Sequence, residues 1–265
     1  MADSAARKID RIDTRPAFTQ ADADALNARF AGVSTQDMLR DVLADETLGR
    51  VGIVSSFGTE SAVLLHLLAE ADRNVPVIFV DTLKMFPETL AYRDTLLAHL
   101  GLANASVVEP LPEVLAAKDE SGLRWSYDPD GCCEIRKVEP LARAKAGLDA
   151  WISGRKAFQS VTRQNLPRFE VEQGRLKINP LGDWTKDDLE AYFAEHELPR
   201  HPLEAEGFLS VGCAPCTSKV MPGEDPRAGR WRGWDKTECG IHGQSSAIPT
   251  RPDDGDLPPG YEPVF

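Results

Sequence analysis

Residues 50–71 read RVGIVSSFGTESAVLLHLLAEA, and three patterns follow one another there without a gap. Residues 50–55 form a short apolar run of strand character, and residues 60–71 carry a broad apolar face at helical spacing. Between them Ser55, Ser56, Phe57, Gly58, Thr59, Glu60 and Ser61 make a tight, hydroxyl-rich turn. Strand, turn and helix in that order are the building unit of an α/β sheet, and the helix N–H groups at such a turn face outward, where an anion can be held. Further along, 75–80 (VPVIFV) is a nearly continuous apolar run, the mark of a strand buried on both faces. Residues 88–100 read as a helix, 105–109 as a strand, and 112–118 and 134–146 as helices. Residues 150–153 (AWIS) form a strand ended by Gly154. Upstream lie helical patterns at 20–30 and 35–44, the second opening on a Ser34 cap. Downstream, 169–179 reads as a hairpin about Gln173 and Gly174, and 186–195 as a helix. After His201 the composition shifts to Gly, Pro, Cys and Trp, with no legible period. The alternation predicts a parallel α/β sheet with helices on both faces. It places one domain over 18–242, a polar flexible N-terminus at 1–17 and an acidic Pro-rich tail at 243–265.

A chain of 265 residues with 42% hydrophobic and 27% charged residues has the balance of a globular protein with a sizeable core. The longest apolar stretches, 62–68 and 75–80, are too short to cross a bilayer. The opening MADSAARKIDRIDTRP has no apolar h-region, so a secretory signal is not expected and the expected address is the cytoplasm. A net charge of −12 argues against a general nucleic-acid or anionic-membrane binder. The sign reverses locally: residues 132–168 hold eight Lys/Arg against three Asp/Glu, a setting for a small anionic substrate or simply a solvated basic face. The five cysteines, an odd number with no signal peptide, favour metal binding or catalysis over a disulfide framework.

Three groups of residues carry chemistry. The turn at 55–61 suits a phosphate or sulfate, but it lacks the Gly-Lys-Ser/Thr of a Walker A loop and the Gly-x-Gly-x-x-Gly of a dinucleotide site. Taken alone, such a turn also serves simply as a cap. Cys132 and Cys133 pair with Cys213-Ala214-Pro215-Cys216, whose Cys-x-x-Cys spacing sets two thiolates on one side of a turn for zinc or an iron–sulfur cluster. Adjacent cysteines disfavour zinc, which takes spaced pairs. The competing reading is a thioredoxin-like redox pair with two core cysteines. The fifth cysteine, Cys239, lies three residues from both Lys236 and His242, and a nearby positive charge would favour its reactive thiolate. An incidental surface cysteine is the bland reading of that pair.

Taken together, SSFGTESAVLLHL, VDTLKMFPET, CCEIRKVEPL, WISGRKAFQSVTR, KINPLGDW, GCAPCTSKVMPGEDPRAGRW and ECGIH run in order over residues 51–242. They resemble the assimilatory sulfonucleotide reductases, specifically the iron–sulfur type that reduces adenosine 5′-phosphosulfate. The resemblance implies a PP-loop (adenine nucleotide α-hydrolase-like) fold and a [4Fe–4S] cluster on Cys132, Cys133, Cys213 and Cys216. It implies that Ser55, Ser56, Phe57, Gly58, Glu60 and Ser61 lie beneath the phosphosulfate, that Thr82 and Leu83 hold the adenosine, and that Gly154 and Arg163 line the nucleotide. Lys137, Arg227, Arg230 and His242 match phosphosulfate contacts, and Cys239 with His242 forms the catalytic group.

The implied reaction yields sulfite and AMP through an S-sulfocysteine on Cys239, resolved by thioredoxin because the chain's own Cys-x-x-Cys is assigned to the cluster. Adenosine 5′-phosphosulfate and thioredoxin are thus the implied partners. No nucleic acid or membrane is expected, and self-association into a homo-oligomer stays open. The 3′-phosphorylated nucleotide is the neighbouring substrate, but reductases of that branch generally lack the paired cysteines. A PP-loop ATP pyrophosphatase would carry Ser-Gly-Gly-x-Asp-Ser, where this chain has Phe57 and Glu60. A metal-stabilised sensor, in which Cys239 is incidental, is the non-enzymatic alternative.

Overall fold

The computed structural model describes residues 17–159, 166–236 and Gly240. The chain enters through α1 (Gln20–Arg29) and α2 (Thr35–Ala44). Thr19 closes a capping box with Asp22 on α1, and the Ser34 hydroxyl accepts from the Asp37 amide on α2. Next come β1 (Val51–Val54), α3 (Ser61–Ala71), β2 (Val77–Val80), α4 (Pro87–Leu100), β3 (Ala105–Val108) and α5 (Pro112–Lys118). A continuous helical run follows: α6 (Pro129–Cys133), a π-helical turn at Glu134–Val138 and α7 (Glu139–Lys145). The rest is β4 (Ala150–Ser153), β5 (Phe169–Glu172), β6 (Arg175–Ile178) and α8 (Lys186–Glu195).

The six strands lie in the order β3-β2-β1-β4-β6-β5. All neighbours are parallel except β5, which pairs antiparallel with β6 through the turn at Gln173 and Gly174, so the parallel sheet ends in the hairpin expected at 169–179. Alternate residues of each strand face opposite layers. Ile53, Val77, Phe79, Ile152 and Ile178 join the larger core, where α3 buries seven of its eleven residues. Ile78, Trp151 and Leu148 form a smaller core with Ala144 of α7 on the other face. Burial on both faces explains why VPVIFV reads as an unbroken apolar run.

The chain runs from β1 outward to β2 and β3, then returns to β4 on the other side of β1. The strand order therefore switches direction between β1 and β4. At such a switch point the turns leaving two neighbouring strands diverge and leave a crevice at their C-terminal ends. The turn after β1 is the hydroxyl-rich segment, and the turn after β4 is Gly154-Arg155-Lys156.

Candidate functional site

The crevice holds a cavity of about 250 Å³. Its floor is the turn after β1, contributing Ser55, Ser56, Gly58, Thr59, Glu60 and Ser61, and one wall is Gly154, Arg155 and Lys156. Phe57 does not face it. That side chain is fully buried in the larger core, edge-on to Phe79 at 5.5 Å, while its backbone takes φ +48°. Holding a non-glycine residue in the left-handed region is costly, and the buried ring anchors the turn there. The Ser55 hydroxyl accepts from the Phe57 amide at 3.2 Å, which closes the turn.

The far wall comes from the segment beyond His201, which among the described residues carries short 3₁₀ turns and isolated bridges. Thr59 donates to the Leu209 carbonyl at 3.1 Å, and the Ala214 amide to the Lys84 carbonyl at 2.8 Å. Isolated bridges pair Met85 with Cys213 and Thr217 with Arg230. These tie the segment over the crevice, bringing Val211, Gly212, Arg227 and Arg230 to its rim. A Cβ on Gly212 would stand 2.2 Å from an Arg230 guanidinium nitrogen, so glycine there is what seats the arginine. Arg230 also lies 4.4 Å from the Trp231 ring centroid.

Lys137 completes the lining, which holds five cations (Lys137, Arg155, Lys156, Arg227 and Arg230) and two carboxylates, Glu60 and Asp225; the Arg155 guanidinium is engaged by Glu170 and Asn179. The cavity is suited to a multiply charged anion. Arg155 and Lys156 stand inside the quoted WISGRKAFQSVTR yet were not singled out by sequence reading. Their signal was position: two cations directly after a strand at the switch point. Glu60 is engaged by Lys156 at 2.8 Å. Thr82 and Leu83 are not brought to this cavity. The Thr82 hydroxyl meets the Cys213 sulfur at 3.2 Å, and Leu83 is exposed with φ +57°.

A second, smaller cavity lies beside the first, with Lys137 lining both. Cys132, Cys133, Cys213 and Cys216 all line it, among Trp125, Pro129, Pro215 and Trp231. Cys132 and Cys133 come from the end of α6, while Cys213 caps the 3₁₀ turn Ala214–Cys216 and Cys216 ends it. Burial and then the neighbouring Cys213 push the Cys132 thiol up to about 11; burial, Cys213 and Cys133 push Cys216 up to about 11. Burial acts the same way on Cys213, but the Lys137 charge, the Thr82 hydroxyl and the Arg230 charge outweigh it and hold that thiol below its usual value. The crowding that raises Cys132 and Cys216, in a pocket that Lys84, Arg136 and Lys137 also line, is a penalty that a cationic group bound among the sulfurs would remove. Among the described residues no three His, Cys, Asp or Glu side chains converge as ligands of one ion. A cluster does not require that, since each thiolate takes its own metal corner. The donor set of four sulfurs and no carboxylate fits an iron–sulfur group.

Behind the cysteines, Arg136 is buried and donates through Nη2 to Asp119 at 2.6 Å and through Nη1 to the Thr82 carbonyl at 2.9 Å. Burial opposes the charged Asp119 carboxylate, but bonds from the Arg124 amide and from Arg136 keep its pKa below the ordinary value. The network locks the loop bearing Thr82 to the helix bearing Cys132 and Cys133.

Cys239, His242 and Arg163 lie outside the described residues, as do 1–16 and 243–265. Gly240 is described: it takes φ +82°, and a Cβ on it would stand 3.4 Å from Val138. The residue following Cys239 is therefore beside the π-helical turn that carries Lys137. Lys236 forms an ion pair with Asp130 of α6.

The profile of the phosphoadenosine phosphosulfate reductase domain matches residues 50–219. A protein from Mesorhizobium japonicum named adenosine 5′-phosphosulfate reductase is 48% identical, covering 89% of this chain and 93% of that protein. One from Gloeobacter violaceus named phosphoadenosine 5′-phosphosulfate reductase is 45% identical, covering 72% and 81%. Among solved structures, a phosphoadenylyl-sulfate (PAPS) reductase from Candida auris in a phosphate complex superimposes with TM-score 0.64. It is 30% identical and covers 77% of this chain and 98% of that one.

Proposed function

The chain belongs to the phosphoadenosine phosphosulfate reductase domain family of sulfonucleotide reductases, and from that premise we propose that it reduces adenosine 5′-phosphosulfate to sulfite and AMP in sulfate assimilation and cysteine biosynthesis. The observation that carries this reading is the junction of two cavities. A cation-lined crevice of nucleotide-binding type adjoins a four-thiol pocket, and Lys137 belongs to both.

The mechanism follows from the residues. Arg227, Arg230 and Lys137 bind the phosphosulfate, and the amides and hydroxyls of the turn at 55–61 receive it at the C-terminal end of β1. The Cys239 thiolate attacks the sulfonate sulfur. The bond from sulfur to the phosphate oxygen breaks, its electron pair leaves with AMP, and an S-sulfocysteine remains on Cys239. The fixed cations neutralise the charge that grows on the departing phosphate, and His242 supports the same group. A thioredoxin thiolate then attacks the Cys239 sulfur and expels sulfite with the sulfur–sulfur electron pair. The second thioredoxin thiol closes the reductant's disulfide and returns Cys239 to its thiol. Cys132, Cys133, Cys213 and Cys216 would hold a [4Fe–4S] cluster, which supplies a fixed charge next to Lys137 when bound. Reduced thiols and thioredoxin fit a cytoplasmic address.

The Gloeobacter violaceus relative's name favours a second reading, in which the 3′-phosphorylated nucleotide is the substrate. The pair of cysteine pairs argues for the unphosphorylated one. The deciding experiment compares kcat/KM for thioredoxin-dependent sulfite release from the two nucleotides. A preference for adenosine 5′-phosphosulfate of about a hundredfold or more, roughly 3 kcal/mol, supports the proposal. The reverse preference reassigns the substrate.

A further inference from the structure

Two side chains of opposite charge meet at the wall of the cation-lined cavity. Lys156 Nζ donates to Glu60 Oε2 at 2.8 Å and to the Gly154 carbonyl at 3.1 Å, with 4% of the lysine side chain exposed. The pair spans the switch point: Glu60 ends the turn after β1, and Lys156 belongs to the turn after β4. Glu60 is also the N-cap residue of α3, yet it makes no side-chain cap bond to that helix. Its carboxylate is turned to the lysine instead. A carboxylate among groups that must receive a multiply charged anion would repel it unless it were neutralised.

We propose that Lys156 is a positioning residue that neutralises Glu60 and draws it off the anion site, so that Glu60 is not itself a ligand. The inference rests on the reading of the cavity as a nucleotide-anion site. It separates two roles that a lysine in such a wall could have, direct contact with the phosphate or compensation of a neighbouring acid. Direct contact makes the glutamate irrelevant once the lysine is gone. Compensation makes the glutamate the cause of the damage.

The test titrates the full chain, purified without oxygen, with AMP and with adenosine by calorimetry. The variants are Lys156→Met, Glu60→Gln, the double variant and Lys156→Arg. Lys156→Met is expected to weaken AMP about tenfold or more while leaving adenosine within about twofold. Glu60→Gln should leave AMP unchanged or tighter, and the double variant should return to within about threefold of wild type. Lys156→Arg should retain AMP binding. A double variant as weak as Lys156→Met overturns the proposal, as does an equal loss of AMP and adenosine. Should Lys156→Met fail to fold, Glu60→Gln decides: unchanged or tighter AMP supports the proposal, and a tenfold loss overturns it. Wild-type protein that binds none of AMP, adenosine and adenosine 5′-phosphosulfate would overturn the site reading itself, and this proposal with it.

Discussion

Arg230 reaches the cavity because residue 212 has no side chain, which makes Gly212→Ala a test of substrate binding with little effect on folding. The added methyl would displace only the end of a flexible arginine, so stability should change by less than about 1 kcal/mol. Steady-state kinetics should show KM for the sulfonucleotide raised about ten- to a hundredfold, the cost of one charge-assisted hydrogen bond. An unchanged KM would remove Arg230 from the substrate's ligands. Asp119 is the opposite case. Asp119→Ala strands the buried Arg136 guanidinium, and urea unfolding should show a loss of about 3–5 kcal/mol. A loss under 1 kcal/mol would mean that water or a neighbour compensates Arg136. At this scale the sequence was uneven. Cys213 and Arg230 stood out in dense motifs, whereas the Thr82 side chain turned to a cysteine 131 residues away, a pairing with no local signature.

Elements with their own caps and periods were readable, and those shaped by interruption were not. The helix at Lys186–Glu195 was placed from its pattern, and Thr185 caps it by a box with Asp188. Residues 134–146 carry a helical pattern too, but the chain there begins earlier, at Pro129, and loosens into a π turn over Glu134–Val138. Pro140 gives the reason: it has no N–H, and its ring crowds the carbonyl four residues back, at Arg136. The wider winding sends Arg136 to Asp119 and leaves Lys137 at both cavities. The hairpin between β5 and β6 offers an element-scale prediction. Gln173 and Gly174 take φ of +53° and +73°, the signs a type I′ turn demands, and glutamine is poorly suited to the first. Gln173→Asn should stabilise the protein by about 0.5–1 kcal/mol, read as a higher urea midpoint with unchanged slope. A lower midpoint would show that the Gln173 side chain contributes more than its backbone costs.

For the whole molecule, the sheet was legible because each strand-helix unit carries its own signal, and the site was half legible because its other half is not local. The floor follows from β1 and its turn. The far wall is an irregular segment that bridges and hydrogen bonds draw over the crevice from beyond His201, and no periodicity announces where it will land. His201 also sets a global pH response. Its Nδ1 accepts from the Leu203 amide at 3.2 Å, so Nε2 carries the proton and faces Thr89 Oγ1 at 3.0 Å. Burial lowers its pKa to about 4, against the partial opposition of Glu88. The unfolded state therefore binds a proton at a higher pH than the folded state does. The stability from neutral His201 is complete above about pH 6.5 and is lost as pH falls toward 4, on the order of 3 kcal/mol. Urea midpoints measured across that window should fall steeply for wild type and more gently for His201→Gln. Parallel slopes would contradict the assignment.

The proposed reaction turns on Cys239 taking the sulfonate from adenosine 5′-phosphosulfate. The most direct measurement is the intact mass, with peptide mapping, of anaerobically purified protein incubated with that nucleotide and no reductant. One added sulfonate is expected, located on Cys239 and released as sulfite by reduced thioredoxin. Unmodified Cys239 in protein that binds the nucleotide, or a sulfonate that persists in Cys239→Ser, would contradict it.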